Sequence, residues 1–344
     1  MAYLICSTER TRSPASDTET KALLHLMSFD DASEDIEGFA IDFFNDVTGL
    51  SRFGERLYDV QSKAAKSAPA MIGQELVTLF KNYCSPFKDL FAKEILFLGG
   101  VSPTVLGKRE LEQFTFEDLE DRAKKGVRKG LLKACEDTGY IKDEYVTDAN
   151  VDGFLNQVCF VVSKGDKADY VKPLIKTGGT AFVTPRKLEA VFNEIKHAQS
   201  RIKEQDVVEG KQIESPDEAY LYGRVIERKD VQRLVLQRLI NWDVYQTGIP
   251  DGFRPFLERI PPERDNEITD ACQNDIARQL FDKNAASDFW RLFGAVVTAV
   301  ENAPNANVEE IFESLDQEVI RGCSQLGPMS ARYFIAVVMD GVDR

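Results

Sequence analysis

The 344-residue chain is poor in the residues that build most metal centres, with two histidines, His25 and His197, and six cysteines without a CxxC pair. Thiols scattered in this way exclude a zinc knuckle and a disulfide framework, and they read as small buried apolar residues. His25, in Leu23-Leu24-His25-Leu26, reads as a helix residue beside the core. No apolar run approaches the roughly 18 residues of a membrane span. The opening MAYLICSTERTRSP lacks a basic stretch followed by a long apolar one, so the chain is expected to stay in the cytoplasm and off membranes. Positive charge is scarce too: 43 Lys and Arg face 57 Asp and Glu, a net charge of −14. That balance repels a polyanion at long range and counts against a general nucleic-acid binder, unless cations are gathered in one place or a partner supplies them. Gly99 to Lys108 superficially suggests a phosphate loop, but the spacing is wrong and Arg109 stands where Ser or Thr would bind Mg²⁺. An NTPase of that kind is excluded.

What is present gathers in residues 31–66. Ile36, Phe39, Ala40, Phe43, Phe44 and Val47 follow the i, i+3, i+4, i+7, i+8 spacing of a helix with one buried stripe. Ser33 with Glu34 and Asp35 suits the helix start, and Asn45 to Gly49 suits its end, so a helix is expected to stop near Asp46. Leu57 to Lys63 then reads as a strand. Tyr58, Val60 and Ser62 share one face, and Asp59, Gln61 and Lys63 share the other. Three polar side chains on one face of a core strand are costly unless they bind something, although a solvent-facing edge strand would also carry them.

A carboxylate at Asp46, then an oxygen acceptor and a lysine two apart on one strand, suits metal-dependent phosphodiester hydrolysis. Mg²⁺ prefers hard oxygen ligands and activates a bound water, while a neighbouring cation stabilises the charge gathering on phosphate. These residues resemble the PD-(D/E)xK restriction-endonuclease-like superfamily. More narrowly, Asp59-Val60-Gln61-Ser62-Lys63 is similar to the QxK-bearing double-stranded-DNA nuclease domains of bacterial anti-phage defence proteins. The resemblance covers roughly residues 20–100: a helix, the Gln61-x-Lys63 strand, a helix at 74–83 and a strand at 94–98. It implies Asp46 as the metal-binding acid, Gln61 as the acceptor in place of Asp or Glu, Lys63 as the catalytic lysine and Glu37 as an acid on the first helix. Mg²⁺ or Mn²⁺ is the implied cofactor, held by Asp46, Gln61 and Glu37. The implied partners are double-stranded DNA, further copies of the chain and a HerA-like DNA-translocating ATPase. No proline precedes the acid, and Asp59 competes with Asp46 for its role.

The remaining pattern frames that centre. Residues 1–17 read as a loose lead-in, 18–27 as a helix, 71–83 as a helix that stops before Pro86, and 94–98 as a buried strand. A helix over 116–135 carries Arg122, Lys124, Lys125, Arg128, Lys129 and Lys133, the densest positive run. Lys124, Lys125, Arg128 and Lys129 are candidate phosphate contacts, or else members of a solvated helix paired with Glu117, Asp118, Glu120 and Asp121. Strands are expected at 154–163 and 181–184, with a turn at 177–180, and a helix at 188–203. The fold class expected is α/β (α+β): a restriction-endonuclease-like core over 18–205 with a central mixed sheet flanked by helices, a linker at 206–216, and an all-helical domain over 217–344. Trp242, Phe289, Trp290 and Phe293 read as core or partner-contact residues of that domain rather than base-stacking ones. The expected activity is Mg²⁺-dependent hydrolysis of DNA in bacterial defence. The rival is a non-catalytic interaction protein that keeps the nuclease fold, and cleavage of RNA is not separable from cleavage of DNA.

Overall fold

The computed structural model describes residues 2–5, 15–139, 141–175, 183–205, 207–244, 248–258 and 260–342. They form two compact units, one of residues 1–170 and 192–228, the other of 171–191 and 229–344.

In the first unit the strands are β1 (Tyr3–Leu4), β2 (Ile36–Ile41), β3 (Val47–Ser51), β4 (Leu57–Lys63), β5 (Phe91–Leu98), β6 (Gln113–Thr115), β7 (Cys159–Val162), β8 (Gln212–Ile213) and β9 (Val225–Glu227). Seven of them make a mixed sheet in the order β6-β7-β5-β4-β3-β2-β9. β2, β3 and β4 form an antiparallel meander, after which β5 pairs parallel to β4 and β7 parallel to β5. The helices of this part of the chain are α1 (Asp17–Ser28), α2 (Pro69–Glu75), α3 (Val77–Tyr83), α4 (Pro103–Leu106), α5 (Asp121–Thr138), α6 (Asp148–Gln157), α7 (Lys167–Val171), α8 (Pro185–Lys203) and α9 (Glu218–Leu221). Ser16 caps α1 by accepting from the Glu19 N–H.

The expected helix ending near Asp46 is instead strand β2, a five-residue turn and strand β3, preceded only by a 3-10 turn at Ser33–Asp35. The cause is burial. Every residue of β2 except Glu37 is buried, and a strand covered on both faces has a continuous apolar run with no alternation. In Ile36-Glu37-Gly38-Phe39-Ala40-Ile41-Asp42-Phe43-Phe44 such a run coincides with helical spacing. Asp42 opens the turn with a left-handed backbone, φ 49°, a conformation that Asp tolerates. β4 occupies the seven residues expected of it, and β5 contains 94–98. The expected strand at 154–163 begins as α6, leaving β7 only four residues. The turn expected at 177–180 and the first half of the strand expected at 181–184 lie outside the described residues.

Among the described residues, the expected lead-in and the expected linker each contribute a strand. Tyr3 is buried and β1 pairs antiparallel with β8, which comes from the stretch expected to be a linker. β9 likewise joins the sheet beside β2, inside the region expected to be all-helical from residue 217 onwards.

The second unit is helical, with α10 (Arg228–Ile240), α11 (Arg254–Leu257), α12 (Asp265–Phe281), α13 (Ala286–Asn302), α14 (Val308–Ser314), α15 (Gln317–Gly322) and α16 (Pro328–Val342). Phe289, Trp290 and Phe293 of α13 are fully buried, with Phe289 against Phe334 of α16 at 5.0 Å between ring centres. Among the described residues no helix is long and apolar enough to cross a membrane.

Candidate functional site

β4 carries the polar residues because its two faces meet different layers. Asp59, Gln61 and Lys63 face the layer of α2 and α3, whereas Ser62 points the other way, towards the side covered by α1.

Asp59 is fully buried and saturated. It accepts from Thr48 Oγ1 at 2.7 Å, from Asn82 Nδ2 at 2.7 Å and from Asn45 Nδ2. Burial raises its pKa against the pull of those three donors. The register places Glu94 of β5 beside it, also buried, accepting from Gln157 Nε2 at 3.1 and 3.3 Å. Burial, and then the Asp59 charge, push Glu94 up to about 7. With Tyr3 Oη donating to Asn82 Oδ1 at 2.7 Å, this network ties β1, β3, β4 and α3 together. Its polar atoms are spent on one another, which makes Asp59 a structural acid.

Asp46 is the more accessible of the two acids. It stands at the mouth of the β2–β3 turn, one residue before Val47, which pairs with Val60, so Asp46 and Gln61 are neighbours across adjacent strands. Its Oδ2 accepts from both the Ser62 N–H and the Ser62 hydroxyl at 2.7 Å, taking the place of a ladder carbonyl beyond the end of β3. Burial, followed by the charge of Glu19 on α1, pushes Asp46 up to about 7, while the Ser62 bonds and Lys203 oppose the rise. Glu19 is paired with Lys203 of α8 at 3.0 Å, and both are buried.

Gln61 and Lys63 are engaged on the opposite face. Gln61 Oε1 accepts from Thr78 Oγ1 of α3 at 3.1 Å, and Lys63 Nζ lies 2.7 Å from Glu75 Oε1 at the end of α2. The three expected residues lie at the same end of β3 and β4 but do not converge: Asp46 bonds Ser62 on the α1 side, whereas Gln61 and Lys63 point to the α2–α3 side, each with its own partner. Glu37 does not join them. It lies on β2 rather than on a helix, four residues before Ile41, and its charge acts on Arg228 and Tyr220 instead. The acid that α1 does bring to Asp46 is Glu19. Nothing local marked Glu19, because its role depends on α1 crossing β3 and β4.

As a test of fit for a divalent ion, the donors are of the right kind but incompletely gathered. Asp46 and Glu19 offer carboxylate oxygens and Gln61 an amide oxygen, the hard ligands that Mg²⁺ takes one or two at a time while keeping its waters. Asp46 Oδ1 accepts no hydrogen bond among the described residues. Among the same residues, no three His, Cys, Asp or Glu side chains are grouped closely enough to cage an ion.

The expected basic helix forms as α5 and sorts its cations into two sets. Lys124 pairs with Glu117 at 2.7 Å, and Arg128 pairs with Asp148 at 2.6 Å and with Asp152. Arg122, Lys125, Lys129 and Lys133 are exposed, three or four residues apart along one ridge about 16 Å long. α5 packs on α2 at backbone distance. A Cβ on Gly73 would sit 2.0 Å from the Val127 carbonyl oxygen, and one on Gly130 would sit 2.2 Å from that of Ala70.

Comparison of the chain with protein-family models, with curated proteins and with solved structures finds no match.

Proposed function

We propose that the first unit is a metal-dependent phosphodiesterase of the restriction-endonuclease-like class that cleaves DNA. The observation that carries the reading is one of order and register. The strand β4 bearing Gln61-x-Lys63, the helical pair α2–α3 and the parallel strand β5 follow one another, with α1, β2 and β3 before them, and Asp46, in the turn just before β3, lies level with Gln61. The strand, helices and parallel strand agree with the order that the nuclease resemblance implies, although the Glu37-bearing helix expected before them is strand β2.

Asp46 and Glu19, on the α1 side of β4, are the side chains that would hold Mg²⁺ or Mn²⁺, while the Gln61 amide oxygen faces the α2–α3 side. When bound, such an ion lowers the pKa of a ligand water and neutralises charge on the phosphate. Ser62 fixes the Asp46 carboxylate through two hydrogen bonds to Oδ2, which leaves Oδ1 without a hydrogen bond among the described residues. Thr78 does the same for the Gln61 carbonyl. Lys63, once released by Glu75, would bring a cation to the phosphate or orient the attacking water. The α5 ridge supplies Lys125 and Lys129 as phosphate contacts, and Arg122 and Lys133 extend it, whereas the Lys124 and Arg128 heads are occupied by carboxylates. A net charge of −14 favours delivery of DNA by a second protein, such as a HerA-like translocating ATPase, or by self-assembly. A role in bacterial anti-phage defence and a cytoplasmic location follow from the same resemblance.

The test is plasmid DNA with Mg²⁺ or Mn²⁺, the protein alone and with its candidate ATPase, wild type against Lys63→Ala. Cutting by the wild type and none by the variant supports the reading. The rival, a scaffold that keeps the fold without the chemistry, has one observation in its favour: Lys63 is already paired with Glu75. It expects no metal-dependent cutting and no biological effect of Lys63→Ala.

A further inference from the structure

One side of α13 buries Phe289 and Phe293 against Phe334 of α16. Another side forms the floor of an open groove of about 820 Å³, whose second wall is the turn between α14 and α15 at residues 314–316. The groove follows α13 over residues 287–302, about 22 Å at 1.5 Å per residue. Its floor is built of small side chains on the i, i+4 rows of the helix, Gly294 with Thr298 and Ala295 with Ala299, and the buried Trp290 and Leu315 add apolar lining. Small residues in rows of this kind let a second helix approach at a short interaxial distance. The surroundings are acidic. Residues 286–322, which build both walls, carry seven Asp and Glu against two Arg, and Glu301, Glu313, Asp316 and Glu318 are exposed. Arg291, the one cation lining the groove among the described residues, is already paired with Asp288 at 2.8 Å.

We propose that this groove of the helical unit docks a basic amphipathic helix of a partner protein. The inference is independent of the nuclease reading and concerns a different unit of the chain. An open channel of this length covers a small ligand poorly, whereas a helix of about 15 residues laid along it buries its apolar stripe from end to end. Large apolar side chains of the guest, at i, i+3, i+4 and i+7, fill the space that Ala295, Thr298 and Ala299 leave open. Lysines and arginines on the flanks of that stripe then meet the carboxylates of the two walls, and an acidic helix would meet like charge there instead. Apolar burial supplies the affinity, and the charged rim selects the guest and makes the association sensitive to salt.

The experiment uses the full chain and labelled model peptides of about 18 residues, followed by fluorescence anisotropy. One peptide places leucines on a helical stripe with lysines around it, a second replaces every lysine by glutamate, and a third shuffles the first so that the stripe is lost. The first is expected to bind at least about tenfold more tightly than the other two, and to weaken as salt is raised. Ala299→Trp fills the groove and is expected to weaken that peptide by about tenfold. Thr298→Trp adds the same bulk at an exposed position that leaves the core untouched, so the test survives if Ala299→Trp does not fold. Glu313→Lys combined with Glu318→Lys should weaken binding and flatten its dependence on salt. Failure of the leucine–lysine peptide to bind, equal binding of the glutamate or shuffled peptide, or binding unmoved by the tryptophan substitutions overturns the proposal. So does self-association of the chain in sedimentation that Thr298→Trp abolishes, since a second copy would then be the occupant.

Discussion

Lys63 Nζ and Glu75 Oε1 are 2.7 Å apart, which places the one lysine of the Gln61-x-Lys63 strand in the grip of the helix that follows it. Both side chains are partly exposed, at 37% and 23%, so the pair contributes little to folding, about 0–1 kcal/mol. Lys63→Ala should abolish metal-dependent cutting and leave the urea midpoint nearly unchanged. Glu75→Gln should retain cutting, because the lysine survives and only its tether is weakened. A Lys63→Ala protein that still cuts at the wild-type rate removes Lys63 from the chemistry.

Asp46 and Asp59 should part company under mutation. Asp59→Ala strands the donors of Thr48, Asn45 and Asn82 in a buried site, at a cost of about 3 kcal/mol in urea unfolding. Asp46→Asn keeps an oxygen for Ser62 and should fold with near-normal stability while losing cleavage. The reverse pattern, a stable inactive Asp59 variant and an active Asp46 variant, would exchange their roles.

Glu94 gives a pH signature. Its carboxyl is pushed up to about 7 from an ordinary 4.5, chiefly by burial and then by Asp59. The folded state therefore prefers the protonated acid. That advantage is complete below about 4.5, where the unfolded chain is protonated as well, and it is lost as pH rises through about 7. Glu94→Gln imitates the neutral form, so its stability relative to wild type should improve by on the order of a few kcal/mol between pH 4.5 and pH 7 or above. His25, held neutral down to about 4 by burial, acts in the opposite direction but is common to both proteins and cancels in the difference. Parallel stability curves for the two proteins would remove Glu94 as the titrating group.

The two sets of α5 cations should differ in their effect on DNA. Replacing Lys125 and Lys129 by Ala should weaken binding at every sequence and lower the slope of log affinity against log salt by roughly 1 for each phosphate no longer neutralised. Replacing Lys124, already paired with Glu117, should change the slope little. Filter binding across a salt series decides it, and equal slopes for the two variants would dismiss the ridge.

Legibility in the sequence followed the range of the interactions. β4 was readable because its period of two is local, and α1 and α5 because their apolar stripes are. β2 was not, since burial on both faces erases alternation, and β9 was not, since three residues beside a long helix leave no pattern of their own. The same divide runs through the candidate site. Gln61 and Lys63 are two residues apart and visible as a pair, and Asp46 lies only fifteen residues before Gln61. Glu19 and Lys203 are 184 positions apart and meet only because α1 and α8 lie side by side. Glu37 was the nearer acid in sequence and the wrong one in space.

The glycines between α2 and α5 carry a mechanical consequence. With Gly73 against the Val127 carbonyl and Gly130 against that of Ala70, the two backbones touch with no side chain between them to deform. A load on the α5 ridge would therefore be passed directly to α2, the helix that ends in the Glu75 paired with Lys63.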